Sequence, residues 1–331
     1  MRKFRKSNKK TRSKKHIRGG AISGAINLID ASSEGNVEAV KFLLSQPTID
    51  VNLKDNEGWT ALMYASIYGH IEVVKLLLSQ PNIDVNLYNK HRITALMEAI
   101  SNEHIEVVKL LLLVPDIDVN LKDNEGWTAL IYASNGGYIE VVKLLLLVPG
   151  IDVNLSDLDD WTALMWGSSE GHVGVVELLL LVPGIDVNLY TSSHRTALMY
   201  ASRYGHIEVV KLLLLVPGID VNLQDTDGKT ALMLASSKGH VEIVKMIKQK
   251  IEQTNRKLNT QRDILERNQQ PPRIPTLAQL AAEELTPEQR NVITRHSLQV
   301  YPDGKILGGG KRKTNKRKTN KRKTRRHRKK L

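Results

Sequence analysis

Thr60-Ala-Leu-Met-Tyr-Ala-Ser-Ile-Tyr-Gly-His-Ile-Glu-Val-Val-Lys-Leu-Leu-Leu-Ser-Gln-Pro-Asn-Ile-Asp-Val-Asn86 is most of one period of a chain that repeats itself. Thr-Ala-Leu recurs at Thr60, Thr94, Thr128, Thr162, Thr196 and Thr230, 34 residues apart each time. Pro47, Pro81, Pro115, Pro149, Pro183 and Pro217 keep that register, as do the Ile-Asp-Val-Asn runs from Ile49 to Ile219. Internal repetition at such a period indicates a stacked array. Within the unit, Thr60 can cap a first short helix whose apolar face is Leu62, Met63 and Ala65. Gly69 can end it in a left-handed conformation. A second helix, Ile71 to Leu78, is apolar around most of its circumference, as burial between two neighbours requires. Glu72 and Lys75 suit its exposed edge. Pro81 disfavours helix in the residue before it and stops the second helix. Ile83 to Ile93 reads as a short hairpin or extended loop around a polar turn.

These residues resemble the ankyrin repeat over roughly residues 21–250. The matching motifs are Asp55-Asn-Glu-Gly58, Thr60-Ala-Leu, Gly69-His70, Val73-Val74, the triple leucine and Asp84-Val-Asn86. The resemblance implies a mostly α solenoid of about seven helix-turn-helix units with short β-hairpin or extended loops, gripping a protein along its concave edge. It also implies that Asn52, Asn86, Asn120, Asn154, Asn188 and Asn222 are the structural asparagines, hydroxylated in some members. There are departures. Thr-Ala-Leu-Met replaces the usual Thr-Pro-Leu-His, the period is one residue longer than usual, and Glu103 stands where a helix-ending glycine belongs. The near-identity of the units, with glycines beside Lys/Arg runs, resembles ankyrin arrays of large DNA viruses or protists.

The net charge of +13 divides sharply. Residues 1–18 hold 10 Lys/Arg and residues 311–331 hold 14, with no acidic residue in either. The remaining 24 basic and 35 acidic side chains leave an acidic body between two basic arms. The chain divides into a basic arm (1–20), the array (21–250), an extended capping helix (251–269), a linker with two short helices (270–307) and a basic tail (308–331). Repeats fall near 26–58, 59–92, 93–126, 127–160, 161–194, 195–228 and 229–250. Both basic termini read as disordered, because like charges cannot collapse. Val244, Ile247, Ile251, Leu258 and Leu265 form a heptad series interrupted by polar residues. The chain is expected to be a monomer, with a weak dimer through 244–265 as the alternative. The helical pattern that runs from Val241 through Arg267 would otherwise cap the last core layer.

The chain has no cysteine, which excludes disulfides, thiolate metal sites and cysteine nucleophiles. Its first residues have no apolar core of a signal peptide, and no run is long enough to span a membrane. An intracellular protein, in cytoplasm or nucleus, is expected. His70, His104, His172, His206 and His240 share one repeat position, which Tyr138 and Asn36 fill elsewhere. That substitution favours packing over metal ligation. No phosphate loop, HExxH or nucleophile elbow is present, so no enzyme activity and no cofactor are expected.

Binding has better support. Side chains that vary within the fixed frame are candidates for partner contact: Trp59, Tyr64, Tyr68, His91, Trp127, Tyr132, Trp161, Trp166, Arg195, Tyr200, Arg203 and Tyr204. Tyr, Trp and Arg dominate binding hot spots. For Trp59, Trp127 and Trp161, packing along the tips is the alternative. In the tail, Lys311, Arg312, Lys313, Lys316, Arg317, Lys318, Lys321, Arg322, Lys323, Arg325, Arg326 and Arg328 could grip phosphates or serve an import receptor. The leading function is a protein-binding adaptor. The alternative is a nucleic-acid-associated protein that grips phosphates without reading sequence. Repeats three to six carry Leu-Val before the proline, at Leu113, Leu147, Leu181 and Leu215, where repeats one and two carry Ser-Gln. The extra loop residue would let these side chains tuck inward. Left outside, they would form an apolar stripe.

Overall fold

Each period folds as two short helices joined by a tight turn, and the periods stack. The computed structural model describes residues 27–269. The first helices are α1 (Leu28–Ser33), α3 (Ala61–Tyr68), α5 (Ala95–Ser101), α7 (Ala129–Gly136), α9 (Ala163–Glu170), α11 (Ala197–Tyr204) and α13 (Ala231–Ser237). The second helices are α2 (Val37–Leu44), α4 (Ile71–Leu78), α6 (Ile105–Leu112), α8 (Ile139–Leu146), α10 (Val173–Leu180), α12 (Ile207–Leu215) and α14 (Val241–Gln269). First helices pack on first helices and second on second, giving two layers in repeat order. One unit ends at Leu258, and a second begins at Asn259, described here only as the last turns of α14. The arms 1–20 and 308–331, and the linker helices of 270–307, lie outside the described residues.

Capping follows the sequence. Thr60 Oγ1 accepts the Met63 N–H at 3.3 Å, and Thr94, Thr128, Thr162, Thr196 and Thr230 repeat the bond. Gly69 ends α3 at φ 69°. Glu103 holds the same left-handed bend at φ 62° without being glycine, which costs on the order of 1–2 kcal/mol. Each layer buries the same set. Leu62, Ala65, Val73, Val74 and Leu77 are enclosed, as are their counterparts in the inner repeats. α4 ends at Leu78, before Pro81 takes effect, and the Gln80 N–H reaches back to the Leu77 carbonyl. Regular strands are absent among the described residues. The tips carry isolated antiparallel bridges, Tyr88 to Thr94, Ser156 to Thr162 and Tyr190 to Thr196.

Three locks join one repeat to the next. The first is a histidine: His104 Nε2 lies 2.9 Å from the Ile67 carbonyl, and its ring fills the space where a Cβ on Gly69 would stand, 2.6 Å from Nδ1. His70, His172, His206 and His240 do the same. At the one inner junction where the glycine is Glu103, the histidine is Tyr138, whose hydroxyl donates to the Glu103 carboxylate at 3.0 Å. The second is an asparagine. The Asn120 side chain donates to the Gly150 carbonyl at 2.8 Å and accepts the Asp152 N–H at 3.0 Å, spanning two repeats. Asn52, Asn86, Asn154 and Asn188 repeat that bridge. The third runs between the tips, as in Asn124 N–H to His91 carbonyl at 3.0 Å.

Two expectations meet the structure only in part. α14 buries Ile243 and Ile247 against the last layer but leaves the outer side of that layer open. Met233 is 53% exposed and Val241 77%, although Met63, Met97, Met165 and Met199 at the corresponding position are buried by a following repeat. Further along α14, Leu258, Ile264 and Leu265 are exposed. The upper half of the heptad seam through 244–265 is therefore already occupied: Ile247 is buried, and Val244 and Ile251 pack on the core. The Leu-Val pairs split. Val114, Val148, Val182 and Val216 pack against the core, while Leu113, Leu147, Leu181 and Leu215 are 75–79% exposed. A loop this short can tuck in only one of two consecutive side chains.

Repeat five lacks supports that its neighbours have. Along the second helices, Lys109 bridges Glu106 of its own helix and Glu140 of the next, and Lys211 bridges Glu208 and Glu242. Gly174 removes the acid that Lys143 would meet, and Glu177 replaces the lysine. Gly167 and Gly174 each weaken their helix by up to about 1 kcal/mol relative to alanine. Because each unit leans only on its neighbours, this deficit stays local. There is room for repair. A Cβ at Gly174 meets the Ile139 Cδ1 at 2.6 Å, a methyl at the end of a half-exposed side chain that can turn aside, and one at Gly167 meets Val175 Cγ1 at 3.2 Å, a tight contact at a position where the sister repeats carry alanine. Amide exchange among the inner repeats is therefore expected to be fastest at residues 161–180. Gly167→Ala with Gly174→Glu should slow that exchange and raise the melting temperature by several degrees. Uniform protection across repeats two to six would count against it.

Candidate functional site

In several tips the first residue ties the turn to the helix that follows. Asp55 Oδ1 accepts the N–H groups of Glu57 and Trp59, both at 2.9 Å, which closes the turn. Its Oδ2 accepts the Tyr64 hydroxyl at 3.0 Å, nine residues on and already in α3. Asp123 holds Tyr132 in the same way at 2.7 Å, and Asp157 holds the Trp166 indole N–H at 3.1 Å. Thr191 and Tyr200 approach at 3.4 Å. Burial, and then the hydrogen bond to a carboxylate, push the Tyr64 and Tyr132 phenols well above their ordinary pKa. Burial and Glu103 raise Tyr138 to about 12. These phenols stay protonated and act as fixed donors. Burial likewise raises the Asp157 carboxyl, against the bonds it accepts from Trp161, Trp166 and Asp159.

Pinned at their polar ends, the rings stack across repeats. Trp127 lies 5.1 Å from Tyr132 and 4.9 Å from Trp166; Trp161 lies 4.5 Å from Trp166 and 4.0 Å from Tyr200. Trp59 and Tyr64 form a separate pair at 5.5 Å. Sequence reading named these residues without seeing that they form one row. Trp127, for which packing along the tips was the alternative, and Tyr200 are both buried within the row. Trp59, Tyr64, Tyr132, Trp161 and Trp166 are half-buried. Tyr68 is 47% exposed, and the half-buried Tyr204 has the Arg203 guanidinium 6.0 Å from its ring centre.

Beyond the rings stand the tips. Gly58, Gly126 and Gly228 take the left-handed position of their turns, but Arg92, Asp160 and His194 hold it in the other three at φ 57–61°. His91, Arg92, Asp160 and His194 are exposed, and Leu158 is 76% exposed. Tyr88 lies between Lys54 and Arg92, at 5.1 and 4.7 Å, and Tyr190 packs on His194 at 4.8 Å. Sequence reading passed over Arg92 and Asp160, whose signal is a non-glycine residue at a glycine position of the repeat.

Comparison with known proteins agrees with this geometry. The family "Ankyrin repeats (3 copies)" matches residues 28–123, 96–191, 146–225 and 164–261. The chain belongs to the ankyrin-repeat family. Among solved structures it is similar to the ankyrin repeat domain of Bcl-3, described as a unique member of the IkappaB protein family. The identity is 28%, the TM-score 0.58, and the match covers 67% of this chain and 99% of that one. It is also similar to the human ASB11 ankyrin repeat domain, at 26% identity and TM-score 0.55, covering 67% of this chain and 98% of that one. No curated protein matches the chain.

In this ankyrin array the histidines are inter-repeat locks, and no group of three or more metal-ligating side chains occurs among the described residues. No helix among them is long and apolar enough to cross a membrane. Arg195 is also committed internally. Its Nε donates to Asp225 Oδ2 at 3.0 Å, and the Asp225 side chain is fully enclosed. Burial alone would raise the Asp225 pKa, but the Lys229 N–H, Arg195 and the Asp227 N–H outweigh it and hold the carboxyl below its ordinary value. A depressed folded pKa stabilises above the unfolded value and loses that contribution as pH falls through the folded one. Arg195→Met should therefore cost roughly 3 kcal/mol at neutral pH, by stranding a buried carboxylate. The gap from the parent protein should shrink as pH drops below about 4. Melting curves across that range test it, and a gap independent of pH would contradict the pairing.

Proposed function

We propose that the chain is a protein-binding adaptor, not an enzyme, and that it holds its partner between the pinned aromatic row and the tips. The observation that carries this reading is the tie between Asp55, Asp123 and Asp157 and the polar ends of Tyr64, Tyr132 and Trp166. Rings fixed before binding lose little conformational entropy when a partner arrives. Tyr68, Leu158, His194, Arg203 and Tyr204 border the row and carry the variable chemistry. A photo-crosslinking side chain placed at Tyr68, Leu158 or Tyr204 in the full chain is expected to capture one common protein. Lys75 and Glu106, on the second helices, are the control positions and should not capture it. Equal capture from both faces would overturn the assignment.

The arms are a separate proposal, supported by their 24 Lys/Arg without a single carboxylate. They serve as an address for an import receptor or as a phosphate grip. If they grip phosphate, affinity for duplex nucleic acid falls with salt at a slope of about −0.9 per phosphate neutralised. Deleting residues 308–331 should then remove most of the binding, and undiminished binding by that variant would sink the idea.

A further inference from the structure

Four leucines face solvent at one place in four successive repeats. Leu113, Leu147, Leu181 and Leu215 are 77%, 79%, 75% and 78% exposed, at the end of the second helix, while the valine after each is packed on the core. The fold does not need leucine there. Repeats one and two place Ser45 and Ser79 at the position with the same backbone: φ is −77° and −76° for the serines against −78° for Leu113. Each serine donates its hydroxyl to a carbonyl of its own helix, Phe42 at 2.7 Å and Leu76 at 2.8 Å, which suits an exposed helix end. Five residues beyond each leucine, in the same loop, stands an exposed aspartate: Asp118, Asp152, Asp186 and Asp220. One oxygen of each accepts the N–H two residues on, from Asn120, Asn154, Asn188 and Asn222. Charge remains on a row parallel to the leucines, one carboxylate per layer.

We propose that this loop edge, distinct from the aromatic row, docks a basic amphipathic α-helix of a partner protein. Packed helical layers lie about 8–10 Å apart. Seven residues of α-helix rise about 10.5 Å. A helix with one apolar residue per heptad therefore meets one leucine per layer, and four heptads match the four leucines. Charge complementarity sets the rest: the aspartates require Lys or Arg beside that stripe. They disfavour a second copy of the array, whose own edge is acidic, and an anionic membrane surface.

The test uses the full chain and a labelled synthetic peptide of four heptads, with leucine once per heptad and lysines flanking it. Binding is followed by fluorescence anisotropy. Replacing all four leucines with serine, the residue repeats one and two already carry, should leave circular dichroism and melting unchanged. It should weaken binding roughly tenfold or more. A peptide of the same composition in scrambled order should bind as weakly to the parent protein. A second variant, with all four aspartates changed to asparagine, retains an acceptor for each turn and should weaken binding while flattening its salt dependence. Undiminished peptide binding by the serine variant would overturn the proposal. So would displacement by a peptide of residues 311–331 at equal concentration, which would show that charge alone suffices. A parent protein that sediments as a dimer and becomes monomeric in the serine variant would assign the edge to a second copy instead.

Discussion

Every layer of this protein depends on the layer beside it. Helices of six to nine residues are too short to persist alone in water, and none of the first thirteen helices exceeds that length. Their apolar sides are paired across repeat boundaries, so a unit excised from the stack exposes Val73, Val74 and Leu77 together. The Asn amide and the histidine ring add direction to that burial: they reach the neighbouring backbone and fix its spacing. The junction of Glu103 with Tyr138 shows the constraint most clearly. When the glycine that admits a histidine ring is lost, the ring changes too, and a phenol–carboxylate bond joins the same two repeats.

A frame fixed this way leaves other positions free to vary. The tips need a left-handed residue and a side-chain oxygen acceptor at their first position, but little else. Arg92, Asp160 and His194 carry side chains at positions where glycine is cheaper, and behind Asp160 and His194 the ring at the start of the helix is held by the same residue that closes the turn. The proposed contact surface thus lies on elements whose backbone the solenoid has already ordered. The loop before the tips shows the same separation. Its valine belongs to the frame, and the residue before it is serine or leucine on one unchanged backbone.

The frame was legible in the sequence because it is local and repeated. Thr60 as cap, Gly69 as terminator, the apolar second helix and the 34-residue register each follow from neighbours a few residues apart. What was illegible depends on residues about 30 or more positions away. Tyr200 looks like a contact residue until its ring is placed against Trp161 of the adjoining repeat. Arg195 looks like a hot spot until Asp225 is found beneath it. The split of Leu113 from Val114 leaves no periodic trace in so short a loop. The bare end at Met233 was hidden because the residue is identical to buried methionines in earlier repeats, and only the absence of a following layer distinguishes it.

The central claim is that stability resides in the junctions, and two identical substitutions test it directly. Asn120 makes two bonds to the following repeat, whereas among the described residues the Asn222 side chain has no such bridge to a following repeat. Urea denaturation of Asn120→Ala is expected to show a loss of about 1–2 kcal/mol, with Asn222→Ala within about 0.5 kcal/mol of the parent protein. Equal losses at the two positions would show that the asparagine serves its own loop, and would contradict the account.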